Sequence, residues 1–303
     1  MKYTKSIYMK FEKSTAIFFS VILISSLTSF FILQTQTNNS NQVFLSTSTS
    51  IENTGLLDLL ITEYEKFSDY IIKYTAIGSG AAIQLAIDGE VDGVISHAPN
   101  LEIDLLDQGI ANNREILWYN YFVIIGPSND PANISNSKTI SEVFQKLEET
   151  GNNGQSNFYS RGDSSGTHQK ELSIWSDLNI TIPNNSDWYY ETGTGMSSTI
   201  ITTNNDEKGY TISDIGTYAK LISNNVLTSM NILYENDNNL FNPYSFLTLN
   251  PEKISSSLNI EGANDFLNFL KSKQCQDLVR SFKISSFQLF IPISDYNDTS
   301  IFS

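Results

Sequence analysis

Ser160-Arg161-Gly162-Asp163-Ser164-Ser165-Gly166-Thr167-His168 is the stretch from which the rest of the chain can be read. A strand-like run, Asn157-Phe158-Tyr159, precedes it. A helix-like run over residues 169–178 follows, with Leu172, Ile174 and Trp175 set among polar residues. A Gly/Ser-rich turn between strand and helix points several backbone N–H groups at one spot, and the helix dipole adds partial positive charge there. Arg161 contributes a full charge and a planar fork of donors that suits an oxyanion. The hydroxyls of Ser164, Ser165 and Thr167 are neutral donors. On physical grounds the stretch is an anion cradle.

Three other readings compete. Gly162-Asp163-Ser164-Ser165-Gly166 fits the G-x-S-x-G elbow of serine hydrolases, which needs a histidine able to reach Ser164. The chain has only His97 and His168. His168 belongs to the same helix start, and His97 precedes the serine, whereas the hydrolase order puts the histidine last. The hydrolase reading is therefore disfavoured, and His168 reads as a structural helix-start residue. The Arg-Gly-Asp triplet is too short to carry a cell-adhesion reading. A plain solvated turn is the third alternative.

The neighbouring sequence repeats the pattern. Val43-Phe44-Leu45 runs into Ser46-Thr47-Ser48-Thr49-Ser50, then a helix from about Asn53 with Leu56, Leu57, Leu60, Ile61 and Tyr64 on one face. A strand over 71–75 leads to Gly78-Ser79-Gly80-Ala81-Ala82 and a helix over 81–87. Trp188-Tyr189-Tyr190 leads to Glu191-Thr192-Gly193-Thr194-Gly195-Met196 and a helix over 197–203. Any one such turn is ordinary turn chemistry. Four of them between strands and helices favour an anion or small polar ligand.

Strands over 94–96 and 118–125, a helix over 139–150, a strand over 209–212 and a helix over 214–222 continue the alternation. It favours an α/β chain with a mainly parallel sheet covered by helices. Strands over 231–235 and 244–249 and helices over 262–271 and 274–282 close the chain, and the tail after Phe290 reads as loosely ordered.

At 303 residues with net charge −15, the chain is long enough for two lobes and too acidic for nucleic acid as a partner. It can still bind an anion, because bulk charge is screened over roughly 10 Å and local donors decide affinity. The single cysteine, Cys275, rules out a disulfide framework and cysteine-rich metal sites within one chain; it reads as a half-buried helix residue. Lys2, Lys5, Lys10 and Lys13 stand before an uncharged run over residues 15–33, TAIFFSVILISSLTSFFIL. As a helix that run spans about 28 Å, close to the hydrocarbon core. The positive flank keeps the N-terminus inside and exports the rest. No A-x-A-like cleavage site is obvious, so an uncleaved anchor is favoured over a cleaved signal. Residues 34–42 form a polar tether, and sequons at Asn133, Asn179, Asn184 and Asn297 are compatible with export.

These motifs, in order, resemble the tungstate-binding proteins of ABC-type importers, the Tup type, which are type II periplasmic solute-binding proteins. Thr47-Ser48-Thr49-Ser50 with Thr54-Gly55-Leu56-Leu57 is similar to the family's TTTS…SGLL run, and Gly78-Ser79-Gly80-Ala81 to its second turn. YFVIIGPSNDP, residues 121–131, resembles the crossover strand, and residues 160–168 with Glu171 match an SRGDxSGTHxxE pattern. Residues 189–196, YTISDIGTY at 210–218 and Asn242-Pro243-Tyr244 complete a match over about residues 43–290. Ser48, Ile51 and Ser197 depart from the residues usual in the family and could alter pocket size or the choice of oxyanion.

The resemblance implies an α/β, two-lobed, type II periplasmic-binding-protein-like fold. Its two crossover strands would cross near residues 125–127 and 242–246. The expected division is 1–42 anchor or signal and tether, 43–126 lobe I, 127–242 lobe II, and 243–303 lobe I again with the tail. The family places Thr49, Ser50, Ser79, Arg161 and Thr167 around the oxyanion; Gly80, Gly166 and Gly195 join them as turn glycines of the cradles. Asp163 either orients Arg161 or caps the turn. The expected ligand is tungstate, or molybdate or another tetrahedral oxyanion, with no cofactor, no metal ligation and no catalysis. The expected partners are an ABC permease with its cytoplasmic ATPase and, through the N-terminal segment, the membrane; the protein itself is expected outside the cytoplasm, anchored by residues 15–33 or secreted after cleavage. An oxyanion-sensing ectodomain is the alternative.

Overall fold

The computed structural model describes residues 41–181, 186–254 and 257–296. The hydrophobic run over 15–33 and the sequons at Asn184 and Asn297 lie outside them. Among the described residues no helix is long and apolar enough to cross a membrane.

The chain runs β1 (Gln42–Ser48), α1 (Thr49–Thr54), α2 (Leu56–Tyr64), β2 (Ile71–Ile77), α3 (Ser79–Ile87), β3 (Gly93–Ser96), α4 (Pro99–Asp107) and β4 (Ala111–Pro127). It continues through α5 (Ile140–Asn152), β5 (Asn157–Ser160), α6 (Gly166–Asp177), β6 (Tyr189–Glu191), α7 (Met196–Asn204), β7 (Gly209–Asp214) and α8 (Ile215–Ser223). It closes with β8 (Met230–Tyr234), β9 (Phe241–Leu249), α9 (Ile260–Lys271) and α10 (Lys273–Ser281). One sheet takes the order β2-β1-β3-β9-β4-β7-β5-β6, with β8 also on β4.

The sheet has two parallel wings and an antiparallel centre. β1 pairs in parallel with β2 and β3, and β5 with β6 and β7. The wings have the parallel strands that the alternation implies. The centre differs because the chain leaves one wing along β4 and returns along β9, so the two strands run in opposite directions. β4 pairs with β9 up to Tyr121, opposite Phe241, and from Phe122 onward with β7 and β8.

Each wing has apolar faces that helices cover. Leu57, Leu60 and Tyr64 of α2 meet Phe266, Phe269 and Leu270 of α9, with Tyr64 edge-on to Phe266 at 4.9 Å. Ile83 and Ala86 of α3 and Leu105 of α4 cover Val94, Leu247 and Leu249 on the opposite face. In the second wing Phe144 and Trp175 pack at 4.5 Å over Phe158. Trp188 lies so close to α5 that a Cβ on Gly151 would come within 2.5 Å of its ring, which only glycine avoids.

Several elements differ from the sequence reading. The helix expected from about Asn53 is two helices, because Gly55 takes φ 79° and ends α1, its N–H returning to Glu52. α4 has no counterpart in that reading. Residues 291–296 of the tail pack onto the fold: Ile291 and Pro292 pair with Tyr119 and Trp118, and Asp295 holds Arg280 at 2.7 Å; the rest of the tail lies outside the described residues. Cys275 is fully buried in α10, and burial pushes its thiol up to about 12.

Candidate functional site

Parallel strands that share a register end together. Ser48 at the end of β1 lies opposite Ile77 of β2, and Thr47 opposite Ile95 of β3. The turns after these strands therefore occupy one edge of the first wing. In the second wing Ser160 lies opposite Glu191, with β7 on the other side of β5. The turns that open α6, α7 and α8 form that edge. Two contacts bring the edges face to face. A Cβ on Gly166 would sit 3.2 Å from His97 Cε1, and one on Gly216 would sit 2.7 Å from Thr54 Cγ2.

Buried donors without partners lie at both edges. Arg161 is 8% exposed, and its Nη2 donates to Asp163 Oδ2 while its Nε has no partner. Thr167 is fully buried and its Oγ1 has no partner; neither has the Oγ of Ser48, which is 3% exposed. Leaving one such group unsatisfied costs about 1–3 kcal/mol, so each of the three is a candidate donor to a bound ligand. Ser48, Gly78 and Gly195 stand before α1, α3 and α7 without any side-chain cap, which leaves first-turn N–H groups free of side-chain oxygen there.

The other expected ligand residues distribute as follows. Ser50 and Ser79 are buried in the first turns of α1 and α3, Thr49 is half-buried, and Gly166 is buried at the start of α6. Gly80 and Gly195 are exposed. Ser48 and His97 were not singled out as site residues. Ser48 carried a usable signal, because it lies inside the hydroxyl run. His97 carried none beyond being one of two histidines.

The Arg161 turn rests on a buried carboxylate. Glu171 in α6 accepts from Ser160 Oγ at 2.6 Å, Tyr189 OH at 2.7 Å and Trp175 Nε1 at 3.2 Å. Burial pushes its carboxyl up to about 7 despite those three donors. Asp163 does both things expected of it. Its Oδ1 accepts from Ser165 N at 3.1 Å while its Oδ2 holds Arg161. Burial raises its carboxyl, but the Ser165 hydrogen bond and the Arg161 charge win and hold it below the usual carboxylate range. Gly162 takes φ 60°, and a Cβ there would come within 2.7 Å of Glu191 Cβ.

The hydrolase reading fails on geometry. His168 Nδ1 accepts from the backbone N–H of Ser164 at 2.9 Å, so it holds the turn rather than the Ser164 hydroxyl. His97 is bound to Asn242. Among the described residues there is no cluster of three or more His, Cys, Asp and Glu that could hold a metal ion.

The PBP superfamily domain matches residues 34–274. The tungstate-binding protein TupA of Peptoclostridium acidaminophilum is 34% identical over 246 residues, spanning 80% of this chain and 82% of that protein. TupA of Campylobacter jejuni is 33% identical over 243 residues, spanning 80% and 87%. The solved tungstate-binding protein TupA from Desulfovibrio alaskensis superposes with a TM-score of 0.74 at 36% identity, over 83% of this chain and 98% of its own. The fold is therefore the two-lobed type II periplasmic-binding-protein fold, with β4 and β9 as its crossover strands. The chain belongs to the PBP superfamily and, within it, to the TupA family. Those relatives are named as binding proteins.

Proposed function

We propose that this chain is the extracytoplasmic solute-binding protein of an ABC importer and that it captures tungstate in the cleft between its lobes. Lobe I comprises residues 43–126 and 243–303 in this reading, and lobe II residues 127–242. The observation that carries the reading is the trio of buried, unpartnered donors: Arg161 Nε, Thr167 Oγ1 and Ser48 Oγ. A tetrahedral dianion offers acceptors in several directions at once. It is matched by many neutral donors and one fixed cation, and a second cation would slow its release. Thr49, Ser50, Ser79, Gly80, Gly166 and Gly195 supply hydroxyl and backbone donors around it. The names of the relatives favour tungstate, and molybdate has nearly the same size and charge.

Closure of the lobes on the anion presents a joint surface to the permease and its ATPase. Residues 15–33 hold the protein at the membrane or direct its secretion, and no reaction is catalysed. Calorimetric titration of the chain with tungstate, molybdate, sulfate and phosphate tests the proposal. Tight one-to-one binding of tungstate, well above sulfate and phosphate, is expected. Tighter molybdate would reassign the cargo, and no heat from any of the four would overturn the oxyanion reading.

A further inference from the structure

His97 has no part in the proposed ligand shell, yet it lies against the start of α6. It follows β3 and is 3% exposed. Its ring stacks on Tyr244, centroids 4.8 Å apart and planes 5° apart. Its Nδ1 lies 3.0 Å from Asn242 Oδ1. The Asn242 amide nitrogen is turned away, donating to Asn120 Oδ1 at 2.7 Å. The asparagine therefore offers His97 an acceptor, and Nδ1 carries the proton. In the neutral ring Nε2 then has a lone pair and no hydrogen. The Cε1–Nε2 edge is the edge turned to Gly166, at 3.2 and 3.3 Å from a Cβ built there. Gly166 opens α6, immediately before Thr167, where first-turn N–H groups and the positive end of the helix dipole lie.

We propose that His97 is a positioning residue for lobe closure that works only when neutral: the bare Nε2 edge lets the Gly166 turn seat against it, and a proton there holds the lobes apart. Oxyanion binding is then coupled to loss of a proton from the open form, and acid favours release. This rests on the oxyanion reading of the same cleft.

The charges around the ring set the balance. Arg161 in the turn before α6 opposes a second positive charge. So does Lys170 on α6, which shares with His97 and Gly166 the wall of a cavity of about 300 Å³. Asp214 at the start of α8 and Glu102 in α4 favour it. Both carboxylates are already engaged. Asp214 accepts from Thr217 N and Oγ1 at 2.8 and 2.7 Å, and Glu102 accepts from Arg114 Nε at 2.7 Å and Ala98 N at 2.8 Å. Tyr244 and Phe122 beside the ring are uncharged. Burial in this structure therefore prevails and keeps the imidazole below its ordinary range.

The experiment is titration of the full chain, purified in detergent, with micromolar tungstate at pH 7.5, 6.5 and 5.5, for wild type and His97→Asn. If the open form has an ordinary imidazole near 6.5 and the closed form excludes the proton, Kd rises about twofold at pH 6.5 and about tenfold at pH 5.5. Asparagine keeps a donor for Asn242 but does not titrate. His97→Asn should bind at pH 7.5 within about threefold of wild type and give a flat profile. A flat wild-type profile overturns the proposal, as does a slope that survives in His97→Asn, which would point to His168. A readout without a variant is calorimetry of wild type at pH 6.5 in buffers of different ionisation enthalpy. About half a proton released per anion is expected, and none released overturns the coupling. Tight binding with no pH dependence rejects only the role of His97, whereas no binding at any pH rejects the oxyanion site itself.

Discussion

Arg161 and Asp163 hold each other by one edge only: the guanidinium Nη2 meets Asp163 Oδ2, and the buried Nε is left without a partner. Asp163 thus fixes the plane of the fork without filling it, and a free donor remains on a rigid cation. Arg161→Ala should weaken tungstate binding about a hundredfold or more, because it removes a buried charge-assisted donor. Arg161→Lys should retain the charge but lose the fork, at about tenfold. The thermal midpoint of the free protein should move by only a few degrees in either case. Affinity unchanged by calorimetry in Arg161→Ala would remove Arg161 from the site.

Asp163→Asn separates orientation from turn capping. The folded carboxyl sits below its ordinary value, so its contribution to stability is present above about pH 4 and is lost as pH falls through the folded value. The variant should therefore be less stable than wild type at pH 7 and converge with it in strong acid. An amide can still accept from Ser165 N but holds Arg161 less firmly, so Kd should rise about three- to tenfold. Thermal melts across pH and titration at pH 7 check the two halves. Full affinity in the variant would reduce Asp163 to a cap.

The cradles were legible because each sets small, hydroxyl-bearing residues between an apolar strand and an amphipathic run, and such turns have few other uses at that density. What was not legible depends on distance in sequence. Strand direction at the centre of the sheet follows from β4 meeting β9, and nothing within β4 encodes it. α4 escapes a reading by apolar period because one of its buried positions is Glu102, whose charge is met by Arg114 beyond the helix. His97 is fixed by Asn242, 145 residues away. Ser164 sat in a motif that suggested a nucleophile, but its φ of 58° and the His168–Ser164 backbone bond make it a turn residue. Ser164→Gly should accordingly leave tungstate affinity within about twofold. A large loss would show that the Ser164 hydroxyl reaches the anion.

Thr167→Val tests the neutral donors. The Thr167 hydroxyl is buried and has no protein partner, so replacing it with a methyl of nearly the same shape removes an unsatisfied group. The free protein should be as stable as wild type or slightly more so. Tungstate should bind about tenfold more weakly, the effect of one hydrogen bond to a charged acceptor. Ser48→Ala should behave alike, from the opposite lobe. Loss of stability together with unchanged affinity in both variants would mean that these hydroxyls serve the fold through water rather than the ligand.

Glu171→Gln should reverse part of the pH dependence of stability. Glu171 is fully buried, and burial lifts its carboxyl from 4.5 to about 7. The folded form thus holds a proton that the unfolded form has released between those values, so stability falls as pH rises through this window and the loss is complete above about 7. Its size is about 3 kcal/mol. Glutamine resembles the protonated acid: its oxygen can accept from Tyr189 and Trp175, and its amide can donate to Ser160 Oγ. His97 works in the other direction. It is held neutral by burial, so its contribution is full above the ordinary imidazole value and fades as pH drops below it. Wild type should therefore lose Glu171's share of its stability as pH rises from about 4.5 to 7 and His97's share as pH falls below about 6.5, whereas Glu171→Gln should show only the second loss. Below about pH 4.5 the two proteins should melt together; at pH 8 the variant should melt about 5–10 °C higher. A variant that melts lower than wild type at pH 8 would show that the ionised carboxylate is a net support of the Arg161 turn, with its three donors outweighing its burial.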